Sequence, residues 1–342
     1  MLRPEQLEPL IEFLKGREKQ DGRARFNGAN VLYYLGGMLA IGAATLFATI
    51  ALDQLGMGAL LALVSFYALF SVLVAIWFEQ RGHGVLTGIF ATLAIALTPL
   101  AIYALQHLLG YWADGSGAQH YRDYHRYIDW RWLLMELGTL VAGGLMLVRF
   151  RYPFMIMPLA VTLWYLGMDI IPALMLNAGD GVGVFSGAGW ELRKKITLAY
   201  GVVMLLSTVW FELRYRPEKD YAFWPYLFGM LTFWGALSSM GDGALAGKLF
   251  YLLINFGLVL ASAILVRRVF TVFGGIGLLM GLGNLSWGLF GESLAFGFVL
   301  TLIGFALIGV GIWWNKHERQ IAQQLSRHLS KNLRDLASAR QT

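Results

Sequence analysis

The sequence predicts an all-α, polytopic membrane protein with about ten transmembrane helices and both termini in the cytoplasm. Of its 342 residues, 57% are hydrophobic and 14% are charged, whereas a soluble domain carries about 25% charged residues. So few charges cannot cover the surface of a water-soluble chain of this size, which indicates that lipid surrounds much of the protein. Long apolar runs and an uneven distribution of basic residues support the same fold class.

Ten apolar runs reach or approach the roughly 20 residues that a helix needs to cross the hydrocarbon core. Short breaks with charged or turn residues separate them. The fourth and sixth runs are slightly short, and each contains a carboxylate. In chain order the predicted spans are 31–52, 57–78, 84–106, 132–148, 154–176, 196–213, 221–240, 249–266, 269–290 and 293–314.

The basic residues predict how these spans are oriented. With ten spans and a cytoplasmic N-terminus, 20 of the 27 Lys and Arg residues fall inside and seven fall outside. Cytoplasmic loops of membrane proteins carry such an excess of positive charge. The formal net charge of +6 is therefore interpreted as charge that faces anionic lipid, and no nucleic-acid partner is expected.

Composition and motifs also limit the function classes. The chain has no cysteine, which excludes disulfides, thiolate nucleophiles, iron–sulfur clusters and Cys-ligated zinc. The charged first thirty residues contain no apolar run, so we expect no cleavable signal peptide. Because the sequence has no zinc-protease, serine-hydrolase or phosphate-binding-loop motif, a membrane enzyme is a third alternative without a supporting motif, and we expect no cofactor.

Both ends outside the transmembrane domain 31–314 are predicted to be cytoplasmic helices. Apolar residues recur at helical spacing in residues 1–30 and again in the basic tail 315–342. Three uses stay open for these ends. They could lie on the anionic inner leaflet, pack against each other or a cytoplasmic protein partner, or, for the tail, simply extend the tenth span.

Spans 1–3 and spans 7–9 share short fragments. Gly-Met-Leu occurs in the first span of each block, and a Gly-x-x-x-Gly pair begins at Gly84 in one block and at Gly277 in the other. Since both blocks start inside, they would form a parallel internal repeat. The alternative is that helices rich in Leu, Gly and Ala resemble each other by composition alone.

Two carboxylates lie clearly inside predicted spans, where an ionisable group is costly and often functional. Glu136 lies in the fourth span and Asp169 in the fifth, and both fall in the outer half, as do Asn255 and Asn284. One hypothesis is an outward-facing cavity that these four residues line and that binds a cation or small polar ligand. In the other, they reach interfacial water or bond to neighbouring helices.

Glu212 receives a different interpretation from these four residues. It lies at the inner edge of the sixth span, beside Arg214 and Arg216. We predict an interfacial ion pair at this position.

The longest outer loop, residues 107–131, contains side chains that could bind a metal. Its Asp and His side chains are suitable ligands for a divalent ion, but His120 and His125 are five residues apart, which does not place both imidazoles on one helical face. Three arginines in the loop would also repel a cation. The sequence therefore favours an interfacial helix rich in Tyr and Trp, without a metal.

Three segments carry a resemblance to a known family. They are PEQLEPLIEFL before a VLYYLGG span, RYIDWRWLLMELGTLVAGGLMLVRFRYPFMIMPLAVTLWYLGMDIIPAL, and DYAFWPYLFGMLTFWGALS. Together they resemble the uncharacterised bacterial polytopic membrane proteins grouped under the domain-of-unknown-function label two-one-five-seven. The resemblance implies a bacterial inner-membrane location and no established activity, so it assigns no functional residue.

Two function classes remain open. The first is a transporter or permease-like protein for a small ligand or ion, with Asp169 as the leading binding or proton-coupling residue. The second is a non-transporting structural or envelope-assembly protein whose partner docks on the basic tail. A polar cavity that reaches Asp169 would favour the first class, and a closed, dry bundle would favour the second.

Overall fold

The structure is a computed structural model that describes residues 28–54, 56–112, 130–177, 187–215, 219–241 and 244–291, with separate positions between 293 and 312. Within this part of the chain every regular element is helical, which confirms the all-α class. Nearly all of the predicted N-terminal helix 1–30, the tail 315–342 and most of the loop 107–131 lie outside the described residues.

Nine α-helices are described without gaps, and each coincides with one of the first nine predicted spans. They are α1 (Gly28–Gln54), α2 (Met57–Gln80), α3 (Gly84–Leu108), α4 (Trp130–Phe150), α5 (Ile156–Asn177), α6 (Gly187–Tyr215), α7 (Phe223–Ser239), α8 (Leu245–Leu265) and α9 (Arg268–Phe290), with a 3-10 turn at Pro153–Met155 before α5.

One helix begins well before its predicted span. The sequence predicts a sixth span from residue 196, whereas α6 begins at Gly187. Its first turns contain Glu191, Arg193, Lys194 and Lys195, which are good helix formers but interrupt the apolar run. An apolar run marks the part of a helix that lipid can cover, so it does not predict where a helix continues beyond the lipid.

Six of the described helices are long and apolar enough to cross a membrane, by length and composition. These stretches are Met57–Gln80, Gly84–Leu108, Arg131–Phe150, Gly189–Tyr215, Leu245–Ser262 and Arg268–Gly288. The structure therefore supports an α-helical membrane protein with six candidate spans in its described part.

The other predicted spans do not reach this standard within the described residues. Shorter apolar stretches occur at Val31–Ala43 and Pro153–Met168. Helix α7 has 17 residues, about 25 Å at 1.5 Å per residue, which is less than the ~30 Å thickness of the hydrocarbon core. Half of the tenth span, 293–314, lies outside the described residues, and it is not among the candidate spans, so ten spans stay a prediction.

The chain divides into two compact units, which are described separately. The first contains the residues up to Asp169 together with Pro217–Trp224. Helix α3 is at its centre and packs against α1, α2, α4 and the 3-10 turn. One buried cluster surrounds Tyr103 and Trp132, and a second surrounds Ile95 and Phe150.

The second unit contains Ile170–Arg216 and Pro225–Thr342. Within it α8 and α9 pack against each other as a helical hairpin. Helices α6 and α7 approach closely at Gly201, where a β-carbon would lie 2.5 Å from the backbone nitrogen of Phe233. Small residues at such a crossing are typical of helix packing in membranes.

The two Gly-x-x-x-Gly pairs contact different neighbours. In the second position of each pair, a β-carbon at Gly88 would lie 3.1 Å from Tyr152, which follows α4, whereas one at Gly281 would lie 2.6 Å from Leu252, in the helix that precedes α9. Equivalent helices of a repeat should place equivalent neighbours against equivalent glycines. These contacts do not support the predicted parallel repeat.

Candidate functional site

Glu136 lies on α4, inside a candidate span, and is 4% exposed. Trp132, one turn earlier, and Met135 belong to the buried core of the first unit. Thr139, one turn later, is also buried, and its hydroxyl donates to the Met135 carbonyl oxygen at 2.7 Å. The Glu136 carboxylate therefore faces the interior of its unit, which is the usual position of a functional carboxylate in a membrane helix.

Asp169 lies in the second half of α5, three residues before Pro172. The backbone at this position is helical, but the Asp169 side chain lies outside the part of the chain that the structure describes. Its role as the leading ligand residue stays a prediction.

Asn255 is fully buried in the α8–α9 hairpin. Its Oδ1 accepts a hydrogen bond from Trp234 Nε1 at 3.0 Å, and its Nδ2 donates to the Tyr251 carbonyl oxygen at 2.8 Å. A β-carbon at Gly277 of α9 would overlap the Asn255 amide. These contacts match the second interpretation of the polar residues, in which they bond to neighbouring helices.

Asn284 lies near the C-terminal end of α9 and is exposed. The backbone carbonyl oxygen of Asn284 accepts a hydrogen bond from Lys248 Nζ at 3.3 Å. Asn284 is seven residues beyond Gly277, the residue that Asn255 contacts, which corresponds to about 10 Å along the helix axis. Asn255 and Asn284 therefore occupy different levels of the hairpin.

The structure does not collect the four predicted site residues within one unit. Glu136 belongs to the first unit, whereas Asn255 and Asn284 belong to the second. Asn255 is enclosed by α7, α8 and α9, and Asn284 is exposed on α9. A cavity common to all four residues stays a prediction.

A buried polar cluster lies instead around Glu212 in the second unit. Glu212 is 2% exposed and Tyr226 is fully buried. The Glu212 carboxylate forms an ion pair with Arg267, and its Oε2 accepts a hydrogen bond from the Tyr226 hydroxyl at 2.7 Å. The Arg267 guanidinium also lies over the Tyr226 ring, 5.5 Å from its centroid. We call Glu212, Tyr226 and Arg267 the buried triad.

The turn between α8 and α9 positions the arginine of this triad. Val266 ends α8 with φ 52° and ψ 45°, a left-handed conformation that is unusual for a β-branched residue. The Arg267 amide then donates to the Ser262 carbonyl oxygen at 3.2 Å, and the Thr271 hydroxyl donates to the Ser262 hydroxyl at 2.7 Å. Backbone strain of this kind costs roughly 1–3 kcal/mol and often occurs at functional sites.

The triad is suited to hold one ionised carboxylate away from water. A charged carboxylate in an apolar environment requires a counter-ion and hydrogen bonds, and here Arg267 supplies the charge and Tyr226 supplies an O–H donor. Such an arrangement can bind a proton or a cation only when the ion pair opens. The buried triad can therefore act either as a fixed structural contact or as a contact that separates in another state of the protein.

The predicted ion pair of Glu212 is confirmed, and in the described part of the chain Arg267 forms it. Residues two apart on a helix do not face each other, so Arg214 is poorly placed to neutralise Glu212. A signal for Arg267 was present, because the predicted topology puts Glu212 and the Arg267-Arg268 turn at the same membrane face. Tyr226 gave no signal, since a tyrosine in an apolar run is also typical of a membrane boundary.

Comparison with known proteins does not assign the chain to a family. The chain matches no family model, no curated protein and no solved structure.

Proposed function

We propose that the chain is a ten-span protein of the bacterial inner membrane with both termini in the cytoplasm. Six candidate spans in the described part of the chain support membrane residence. The excess of Lys and Arg on one side of a ten-span arrangement supports the orientation. The parallel repeat is a weaker part of this proposal, because the two glycine pairs have different neighbours.

Membership of the family labelled two-one-five-seven is likewise a proposal. It rests on the three segments quoted above and implies the same location in the inner membrane. Neither the contacts of Glu136 nor the buried triad depends on this assignment.

We further propose that the protein moves a small cation or proton, or a small polar ligand, across the membrane. The observation that carries this proposal is the burial of the Glu136 carboxylate inside a candidate span. Ionisable groups are rare in membrane helices because they are costly there, and they commonly mark ion and substrate pathways. Glu136 supplies the buried carboxylate of the first unit, and Asp169 is the second candidate on chemical grounds.

A proton-flux measurement tests this function. Purified protein is reconstituted in liposomes that contain the pH indicator pyranine, and an outward gradient of Na⁺ or K⁺ is imposed. We expect a cation-dependent change of internal pH, which Glu136→Gln abolishes because an amide cannot exchange a proton at neutral pH. Asp169→Asn is expected to reduce the flux as well.

The matched control is Glu191→Gln, since Glu191 is a glutamate on α6 that is exposed and forms an ion pair with Lys194. It should transport like the wild-type protein. Wild-type flux from Glu136→Gln and Asp169→Asn, at normal expression, would contradict the proposed pathway.

A non-transporting structural protein is the second candidate, and a specific observation favours it. In the second unit, the described polar groups bond to one another, Asn255 with Trp234 and Glu212 with Tyr226 and Arg267. A static bundle satisfies its polar groups in this way. In this case the flux of wild-type proteoliposomes equals that of empty liposomes, and the basic tail 315–342 is the part expected to bind a cytoplasmic partner.

A further inference from the structure

The first unit presents four exposed basic side chains at the ends of its helices. They are Arg81, Arg149, Arg151 and Lys219, and we call them the basic turn cluster. They come from three separate segments of the chain: the turn after α2, the end of α4, and the segment before α7.

Specific contacts hold these three segments together. Arg149 forms an ion pair with Glu79, at the end of α2, with a distance of 2.9 Å. The Arg151 carbonyl oxygen accepts hydrogen bonds from the Tyr221 hydroxyl and from Lys219 Nζ at 3.4 Å. The segment 219–221 and the end of α2 are thereby both fastened to the end of α4.

The cluster retains an excess of positive charge. Within the described residues, its four cations stand against two nearby carboxylates, Glu79, which pairs with Arg149, and Asp220, which is exposed. Among the described contacts, Arg81 lies over the ring of Trp77 at 3.8 Å, and Lys219 lies over the ring of Tyr152 at 4.8 Å. Contacts with aromatic rings hold a cation in place without neutralising it.

An exposed apolar stripe leads to this cluster along α2. Phe66, Phe70, Leu73 and Trp77 are all exposed and recur at intervals of three or four residues, which places them on one face of the helix. The stripe ends at Trp77, directly beside Arg81. An apolar path therefore runs along the candidate span and terminates at a positively charged surface.

We propose that the basic turn cluster binds the phosphate of an anionic phospholipid headgroup, with the acyl chains lying along the α2 stripe. Arg side chains suit phosphate because the planar guanidinium donates to two oxygens at once. A free phosphate would use the cluster but not the stripe. The stripe thus favours a lipid as the source of the phosphate.

The net charge of the headgroup decides which lipid is bound. Phosphatidylglycerol carries one negative charge, whereas phosphatidylcholine adds a quaternary ammonium that the uncompensated cations repel. The cluster therefore selects anionic over zwitterionic lipid. This inference requires only that the protein resides in a bilayer, so it does not depend on transport.

Lipid titration of the purified full-length chain in detergent, read by native mass spectrometry, tests the proposal. The variant Arg81→Gln/Arg151→Gln/Lys219→Gln removes three cations and keeps the Glu79–Arg149 ion pair. We expect its affinity for phosphatidylglycerol to fall about tenfold or more, because the headgroup phosphate loses three cations of one binding site and the charge-assisted hydrogen bonds they donate. Its affinity for phosphatidylcholine should stay unchanged.

The matched control is Lys195→Gln/Arg214→Gln/Arg268→Gln, which removes three exposed cations from the second unit and should retain wild-type affinity. Elution of a variant as a single species at the wild-type volume shows that it is folded. If the triple variant does not fold, the single variant Arg81→Gln replaces it, and its affinity for phosphatidylglycerol should fall several-fold. Equal affinity of the triple variant and the wild type would overturn the proposal. Equal losses in the control, or displacement of the lipid by millimolar inorganic phosphate, would also overturn it.

Discussion

Each unit contains a glutamate–arginine ion pair near the end of a candidate span, and the two pairs differ in burial. In the first unit the side chains of Arg149 and Glu79 are 56% and 28% exposed. In the second unit those of Arg267 and Glu212 are 12% and 3% exposed. A residue in the left-handed conformation lies close to the arginine in both places, Arg151 with φ 53° and Val266 with φ 52°.

The difference shows that the surroundings of an ion pair, more than its charges, decide what the pair does. An exposed pair contributes about 0–1 kcal/mol to stability and leaves its arginine accessible to other anions. A buried pair gains little net energy from its formation, but the removal of one partner leaves a charge without compensation and costs about 3–5 kcal/mol. The exposed pair suits a binding surface, and the buried pair suits a fixed contact or a gate.

The largest effect on stability is expected from Glu212→Gln, and the isosteric change Glu79→Gln in the exposed ion pair is its comparison. Glu212→Gln should lower the free energy of unfolding by about 3 kcal/mol, because the buried Arg267 loses the negative charge of Glu212. Glu79→Gln should lower it by less than about 1 kcal/mol. Equilibrium unfolding in mixed micelles measures both, and equal losses in the two variants would show that burial does not distinguish the pairs.

A second comparison uses the glycines that each unit packs against a polar side chain. Gly277→Ala should destabilise the protein by about 1–3 kcal/mol, because the new methyl group overlaps the buried Asn255 amide and the core must shift. Gly84→Ala should cost less, since Tyr152 is only partly buried and its ring can move.

The control for both glycine variants is Gly275→Ala, where no atom lies within 4 Å of the added carbon. That change should be neutral or stabilising by up to about 1 kcal/mol, since alanine favours the helix. The contact with Asn255 is unimportant for stability if Gly277→Ala and Gly275→Ala unfold at the same denaturant concentration.

The smallest effect is expected at the left-handed residue of the second unit. Val266→Gly should raise stability by about 1 kcal/mol, because glycine adopts φ 52° without the steric cost that valine bears. Val272→Gly, in the exposed part of α9, is the control and should instead lower stability by roughly 0.5 kcal/mol. A loss of stability in Val266→Gly would mean that the valine side chain contributes more through packing than its backbone costs.

The positions of the helices could be predicted because a bilayer requires each spanning segment to satisfy its own backbone hydrogen bonds within one apolar run. For the same reason the start of α6 at Gly187 could not be predicted, since its first turns are charged and lie outside any apolar run. The length of α7, 17 residues, could not be predicted either, because apolar residues continue beyond both ends of this helix.

The polar contacts were only partly predictable. Glu136 and Asn255 could be found in the sequence, because polar residues are costly within a span, but the sequence left open whether they line a cavity, reach interfacial water or bond to neighbouring helices. Their partners could not be found, because a contact such as Glu212 with Arg267 joins residues 55 positions apart in the sequence and depends on the unusual turn at Val266. Local periodicity contains no information about such a turn.

The contact between Asn255 and Gly277 also limits how the protein can move. Gly274, Gly277 and Gly281 lie on one face of α9, and all three are packed against α8. A displacement of α9 by less than one turn moves Gly277 away from the Asn255 amide and places the bulk of the helix against it. A step of one full turn, about 5.4 Å, instead brings another of these glycines to the same position. The contact thus opposes small sliding motions of the hairpin and favours displacements of α9 along α8 by whole turns.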